Sequence, residues 1–525
     1  MGNVRNRIFE TLRAHGMTTM FGNPGSTELS LLASFPEDFR YVLGLHEGAV
    51  TAMAMGHALA GDNAAVVNLH TTAGVGNAMA MIATAWHAQA PLVITAGQQD
   101  RRIIRTEPLL WGKQVEFVRP YVKWSVEPHR AVDVPEAIER AYHVAMSEPR
   151  GPTFVSICMD GLDDACAAVV PREVSYRTAP DPAAIARAAE VLQRGSRVAI
   201  VAGAQADAAG ATGDLVTLAE RLQAAVFLAP DAYRHSFPED HPLYQGPLPP
   251  AMGPLADRLR SYDAVLVVGA PVFLYFPYVP GPPVHAGTAL VQLTNDPAMA
   301  SRALVGTSVV GDVALAVRGL LELTDARSPA ATTPWAPPAV VGTSTPLQPD
   351  FVFRELAKVL PAHAILCVEA PSWKPFLYEQ VRLRDPGSYF ESASGSLGFA
   401  LPAAIGAALA RPDRPVVAIL GDGSAQYAIQ GLWTAARYRV PVTFVVINNR
   451  EYAILKAFAR FLHRSGVPGL DVPGVDFAGL ARGYGLPHRL ISAPADVQPG
   501  LAGAFAAGAP SVVEIEVDRL VPELL

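Results

Sequence analysis

The sequence predicts an α/β protein of three domains, each a parallel sheet flanked by helices. Three observations lead there. Strand-like and helix-like segments alternate along all 525 residues, the pattern of parallel sheets with crossover helices. Two stretches of Pro, Ala and polar residues interrupt that alternation. Half of the residues are hydrophobic and only 17% are charged, enough apolar side chain for several large cores.

The first interruption runs from Leu162 to Pro182. The second, Ser328 to Pro349, reads SPAATTPWAPPAVVGTSTPLQP and is expected to be extended. Cutting there yields an amino-terminal domain over 1–162, a middle domain over 183–327 and a carboxy-terminal domain over 350–525.

Composition excludes several function classes. A net charge of −7 with no basic tract argues against nucleic acid or anionic membrane as a partner. Cys158, Cys166 and Cys367 form no CxxC pair, so no disulfide framework is expected. Asn3 to Glu10 reads as an amphipathic helix rather than a signal peptide. No apolar run reaches the roughly 18 residues of a spanning helix. A soluble, cytoplasmic protein is the expectation.

In the amino-terminal domain, Phe21 to Glu28 (FGNPGSTE) is a turn-rich loop entering a helix. Its small residues permit close approach of a ligand and Ser26 offers a hydroxyl, although NPGS is also a good generic turn. Glu47 then precedes the apolar helix GAVTAMAMGHALAG. It is either an acid favoured at a helix amino terminus or a carboxylate placed to exchange a proton with a bound base. His70 closes the strand Val66 to His70 and abuts the Gly-rich turn Thr71 to Asn77. The carboxyl end of a strand suits a functional histidine, with a supporting role as the alternative.

The middle domain has strands at Arg197 to Ala204 and at Ala264 to Gly269. Neither is followed by a full GxGxxG, so it reads as Rossmann-like without a nucleotide.

The carboxy-terminal domain carries the most informative stretch, Val416 to Asn449. A β-branched run ends in Gly421-Asp422-Gly423-Ser424, a helix-like segment follows, and a second apolar strand ends in Asn448-Asn449. A crossover helix makes the two strands parallel neighbours, so Asp422 and Asn449 stand together at their carboxyl ends. A carboxylate and an amide oxygen beside a Gly-rich turn suit a hard divalent cation holding a phosphate. An ordinary β-α-β unit with polar strand ends is the plain alternative.

The outer domains look like versions of each other. Strand, TTAGVGNAMAMIATAW and Pro91 to Thr95 in the first match strand, GDGSAQYAIQGLW and Pro441 to Ile447 in the last. Trp86 and Trp433 stand near the same helix end in this reading. Two occurrences indicate shared architecture rather than a solenoid.

Taken in order, NPGS, a Glu before a small-residue helix, HTTAGVGNAM, a Rossmann-like domain, GSLGFALPAAIGAALA, GDGS and NN have a specific meaning. The chain resembles the thiamine-diphosphate-dependent decarboxylase superfamily, and within it the benzoylformate decarboxylases. That resemblance implies two thiamine-diphosphate-binding-type domains around the middle one. It implies that the side chains of Asp422 and Asn449, spaced 449 − 422 = 27 residues, and the Glu451 carbonyl ligate Mg2+, Ca2+ or Mn2+ at the cofactor diphosphate. Gly423, Ser424, Tyr452 and Ser372 would line the diphosphate site. The Gly395 carbonyl would meet the aminopyrimidine amine, and Leu397 would lie under the folded cofactor. Glu47 would share a proton with the pyrimidine ring. His70 and Ser26 would contact the substrate carboxylate.

The resemblance also exposes departures. Phe276 stands where benzoylformate decarboxylases carry a second histidine, and it has no proton to relay. Pro371 replaces a threonine, Ile454 replaces an alanine and adds bulk against an aryl group, and Phe458 is retained. The implied activity is non-oxidative decarboxylation of a benzoylformate-like 2-keto acid to an aldehyde and CO2. The implied assembly is a homotetramer with active sites at a dimer interface. A carboligase or acetolactate-synthase-like enzyme is the alternative that Phe276 and Ile454 favour. A non-catalytic cofactor-binding partner is the remaining one, and FAD has no motif support.

Overall fold

A computed structural model describes residues 2–524 except 329–333, 337, 340, 341, 343 and 344. The stretch Ser328 to Pro349, expected to be extended, therefore lies partly outside the described residues. Three six-stranded sheets follow one another along the chain, and every strand pair within them is parallel.

The first sheet holds β1 (Thr19–Gly22), β2 (Arg40–Leu43), β3 (Ala65–Leu69), β4 (Leu92–Gln98), β5 (Ser125–Val126) and β6 (Thr153–Cys158), in spatial order β2-β1-β3-β4-β6-β5. The second holds β7 (Val198–Ala202), β8 (Ala225–Leu228), β9 (Tyr244–Pro247), β10 (Ala264–Val268), β11 (Ala289–Thr294) and β12 (Thr307–Val310), in order β9-β8-β7-β10-β11-β12. That is the 3-2-1-4-5-6 order of a Rossmann sheet. The third holds β13 (Ile365–Glu369), β14 (Tyr389–Glu391), β15 (Val416–Gly421), β16 (Val442–Asn448), β17 (His488–Ile491) and β18 (Ser511–Glu516), in order β14-β13-β15-β16-β18-β17. First and third sheets thus share one strand order, 2-1-3-4-6-5, as their similar sequence patterns implied. Central strands such as β3, β7 and β13 are buried at every position. They read as continuous apolar runs because helices cover both faces.

Six helices matter for function: α1 (Val4–Ala14), α2 (Glu47–Gly61), α3 (Thr71–His87), α4 (Val134–Met146), α5 (Ala400–Ala410) and α6 (Ala453–Phe461). Both α2 and α5 are apolar around most of their circumference, so each must be covered on several sides. They cover each other. A Cβ on Gly56 would lie 2.0 Å from the Ala403 carbonyl oxygen, and one on Gly406 would lie 1.8 Å from that of Met53. Backbones touch there, and only glycine permits it. The crossing merges the first and third sheets' helices into one apolar core, while the middle sheet keeps its own.

Between β15 and β16 the helical segment is broken, unlike the continuous α3. It runs Asp422–Ala425, a 3-10 turn Gln426–Ala428, then Gly431–Tyr438. Trp433 therefore lies in the first turn of its helix, whereas Trp86 is near the end of α3, so their expected equivalence is corrected. The break lets the chain press on α5, where a Cβ on Gly431 would meet Leu401 Cδ2 at 2.6 Å. After the first sheet, Ala165–Cys166 pairs antiparallel with Gly2–Asn3, and irregular chain leads on to the helix Pro182–Arg194. No helix among the described residues is long and apolar enough to cross a membrane.

Candidate active site

Parallel pairing of β15 and β16 aligns Gly421 with Ile447, so both strands deliver their next polar residues to one edge. Asp422 is buried. Its Oδ1 accepts the Gly423 N–H at 2.9 Å, while its Oδ2 has no hydrogen-bond partner among the described residues. Burial pushes this carboxyl up to about 6. Asn449 is buried too, accepting the Glu451 N–H at 3.4 Å and leaving its Nδ2 without a partner. Glu451 Oε2 accepts from Lys456 Nζ, and its Oε1 also lacks a partner. A buried carboxylate oxygen left unpaired is costly, and a divalent cation with oxygen ligands is the group that fits it.

The floor of this turn is narrow. A Cβ on Gly423 would fall 2.4 Å from the Tyr452 ring. Ser424 is buried beside it. Ser372, in the turn after β13, accepts the Ile454 N–H at 3.0 Å, which leaves its own O–H to donate. Gly395 sits in an exposed loop with φ +72°, where a Cβ would touch nothing. Conformation, not space, demands glycine there. Leu397 is half-buried two residues on. Ser394 in the same loop shares a 2.7 Å hydrogen bond with Thr84 of α3.

Sequence reasoning missed Glu369, the last residue of β13. It is buried and accepts the N–H groups of Gly398 (2.8 Å), Phe399 (2.7 Å) and Ala400 (2.8 Å), which cap the start of α5 and fix the Gly395–Leu397 loop. Burial pushes its carboxyl up to about 7, with the three N–H groups pulling the other way. An acid closing an apolar strand, as Asp422 nearly does, was the available signal.

The amino-terminal half is built around Glu47, the first residue of α2. It is buried, and Asn23 Nδ2 and Asn77 Nδ2 donate to its two oxygens at 3.1 and 2.9 Å. A Cβ on Gly74 would press on its Cγ at 3.2 Å. His70 caps α3 and points Nδ1 at Glu28 Oε2, 2.9 Å away. Glu28, only 1% exposed, also accepts the Gly25 N–H (2.8 Å), the Gly97 N–H (2.9 Å) and the Thr27 hydroxyl (2.7 Å). An acceptor so placed holds the proton on Nδ1 and leaves Nε2 free to face a ligand. Glu28 was also missed, although an acid three residues after a turn glycine resembles a capping box. Ser26 is exposed at the tip of the same turn.

Phe276, 65% exposed, meets Phe458 of α6 with ring centroids 4.9 Å apart. Ile454 lies one turn before Phe458 on that helix, and Pro371 is exposed beside Ser372. The structure thus groups Phe276, Phe458 and Ile454 with the Pro371–Ser372 turn. Within one chain, the hydrogen-bond partners of Glu47 and His70 belong to the first sheet's domain, and those of Asp422, Asn449 and Ser372 to the third's.

Models of three thiamine pyrophosphate enzyme domains match the chain in order: the N-terminal TPP binding domain over residues 2–116, the central domain over 185–320 and the C-terminal TPP binding domain over 375–515. The chain belongs to the thiamine pyrophosphate enzyme family. The cofactor, also called thiamine diphosphate, is the group its outer domains bind, and the matched spans include Glu47 at one end and Asp422 and Asn449 at the other. This thiamine pyrophosphate enzyme is 44% identical to the benzoylformate decarboxylase of Pseudomonas aeruginosa over 530 residues, covering 99% of this chain and 100% of the relative. Its structure is similar to that of benzoylformate decarboxylase from Polynucleobacter necessarius, with a TM-score of 0.98, 38% identity and full coverage of both chains. It is also similar to a thiamine diphosphate-dependent 4-hydroxybenzoylformate decarboxylase of Rhodococcus jostii RHA1, with a TM-score of 0.95, 40% identity and coverage of 98% and 99%.

Proposed function

We propose that this chain is a thiamine-diphosphate-dependent carboxy-lyase that converts a benzoylformate-like 2-keto acid to an aldehyde and CO2. One observation carries the reading: both halves of the cofactor site, Glu47 and the unpaired Asp422 oxygen, occur in a chain that matches a benzoylformate decarboxylase along its whole length. When bound, thiamine diphosphate supplies the electron sink for the pair left as the carboxylate departs.

The chain's own residues bind, orient and move protons. Asp422 Oδ2, the Asn449 side chain and the Glu451 carbonyl hold Mg2+ (Ca2+ is the other candidate), and Gly423, Ser424, Tyr452 and Ser372 line the diphosphate. The Gly395 carbonyl and Leu397 shape the aminopyrimidine end. Glu47, held between two asparagine amides, would hold or give up a proton toward the pyrimidine ring. His70, oriented by Glu28, meets the substrate carboxylate together with Ser26. Phe276, Phe458, Ile454 and Pro371 line the acyl pocket.

The family resemblance carries the proposed assembly, a homotetramer in which a second copy completes each site; the two halves finding their partners in different domains of one chain is compatible with it. Three free, buried cysteines suit the cytoplasm. The deciding experiment is a CO2-release screen over aliphatic, branched and aryl 2-keto acids with added thiamine diphosphate and Mg2+. Release from benzoylformate-type acids supports the reading, and release from none of them overturns it. Carboligation is the second reading, favoured by Phe276: its ring carries no titratable proton where one is needed after CO2 leaves.

A further inference from the structure

One cluster of ligand-type side chains lies outside everything the proposed function uses. His15 follows the last residue of α1, and Glu139 and His143 are one turn apart on one face of α4. His15 Nε2 is 2.6 Å from Glu139 Oε2, and His143 Nε2 is 3.0 Å from Glu139 Oε1. The three donor atoms lie within 4.8 Å of one another. Their side chains are between 7% and 10% exposed, sheltered without being sealed.

We propose that His15, Glu139 and His143 bind a divalent transition-metal ion of the zinc class. Two imidazoles and a carboxylate form a three-ligand set that leaves a fourth position for water. Imidazole nitrogen selects Zn2+, Ni2+ or Co2+ over the hard Mg2+ and Ca2+ that suit the oxygens of the cofactor site.

The surroundings are those of a ligand set rather than of loose polar groups. Tyr176 Oη is 2.6 Å from His143 Nδ1. With both Nε2 atoms on the ion, the His143 and His15 protons each move to Nδ1, and Nδ1–H of His143 donates to the Tyr176 hydroxyl oxygen, so proton count is preserved by a change of tautomer at both rings. Such a partner on the far ring nitrogen orients metal-bound histidines. The Tyr142 ring stacks on His15 at 3.9 Å and 21°. The Arg172 N–H donates to Glu139 Oε1 at 3.1 Å. Arg172 and Tyr176 belong to the irregular chain between the first and second sheets, so a bound ion fastens that connection to α1 and α4.

The test titrates the full-length holoenzyme, already carrying thiamine diphosphate and Mg2+, with Co2+. Visible absorption and metal analysis after equilibrium dialysis are read together. The expected result is one Co2+ per chain with a tetrahedral ligand-field band that Zn2+ displaces. The band is lost in His143→Ala and in Glu139→Gln but kept in Asp422→Asn. Tyr176→Phe, which retains the fold, weakens Co2+ binding by about tenfold or more. Absence of bound Co2+ in the folded protein, a band that survives both ligand variants, or one lost only in Asp422→Asn overturns the proposal. If the ligand variants do not fold, Tyr176→Phe decides: unchanged affinity overturns it.

Discussion

The ring of Phe276 packs on that of Phe458 at a centroid distance of 4.9 Å, so a loop of the middle domain closes over α6 of the carboxy-terminal one. The two residues are 458 − 276 = 182 positions apart. This contact forms one wall of the proposed acyl pocket, and that wall is wholly apolar.

An imidazole in place of the Phe276 ring would add a proton donor to that wall. Phe276→His is expected to raise aldehyde output relative to 2-hydroxyketone by about a hundredfold, the lower reach of general acid catalysis. Product analysis by chromatography checks it, and an unchanged ratio would remove Phe276 from the protonation argument.

Glu47→Gln replaces an acceptor between two amide donors with a group whose own NH2 faces one of them. Fold and cofactor binding should survive, since α2 stays buried on α5. Exchange of the cofactor's thiazolium C2 proton should slow by about a hundredfold or more. NMR of the bound cofactor reads this directly, and near-normal exchange would sink the assignment.

Glu28 accepts three hydrogen bonds besides that of His70. Glu28→Ala strands the buried Gly97 N–H and takes the acceptor from the half-buried Gly25 N–H, and should cost about 2 kcal/mol or more, at roughly 1–3 kcal/mol per unsatisfied buried group. Glu28→Gln turns one of the two accepting oxygens into an NH2 that faces a backbone N–H, so it should cost less stability than alanine, about 1–3 kcal/mol, and lower kcat/KM because the His70 tautomer is no longer enforced. Thermal melts and pH–rate curves separate the two effects.

Asp422 and Glu369 both have carboxyls raised by burial, to about 6 and about 7. Each binds its proton more tightly folded than unfolded. Their contribution to stability is therefore complete in acid and is lost as pH rises through those values. A divalent ion on Asp422 offsets its share only once the carboxyl is ionised. The Tm gain from Mg2+ with thiamine diphosphate should then be small near pH 5 and grow toward pH 8. Differential scanning fluorimetry of apo and loaded protein tests this, and a gain independent of pH would contradict it.

Gly56→Ala places a methyl 2.0 Å from the Ala403 carbonyl oxygen. The α2–α5 crossing must open, at a cost of about 1–3 kcal/mol or more. A chemical denaturation midpoint no lower than wild type would show that the crossing is looser than this contact implies.

Much of the site could be read from the chain because its parts are local to strand ends. A parallel β-α-β unit has one geometry, so GDGS and NN had to meet once β15 and β16 were recognised. His70 and Glu47 were visible for the same reason, the one just before a helix and the other beginning one, each directly after a strand or turn. Glu28 and Glu369 were not. Their significance lies in the N–H groups they accept from Gly97 and from Gly398 to Ala400, which belong to other elements.

What the sequence by itself determined is the three-sheet α/β plan, the likeness of the two outer domains and the meeting of Asp422 and Asn449 at neighbouring strand ends. Hydrophobic period and turn chemistry record which side of an element is buried, and those features need nothing more. Only the tertiary structure decided that Phe276 rests on Phe458, that Glu28 orients His70, that Gly56 and Gly406 seal two domains into one core, and that Asp422 keeps one oxygen unpaired. Each depends on which distant surface supplies the partner. Periodicity cannot encode that choice, because packing is settled by shape and by the hydrogen bonds left over after every local element has formed.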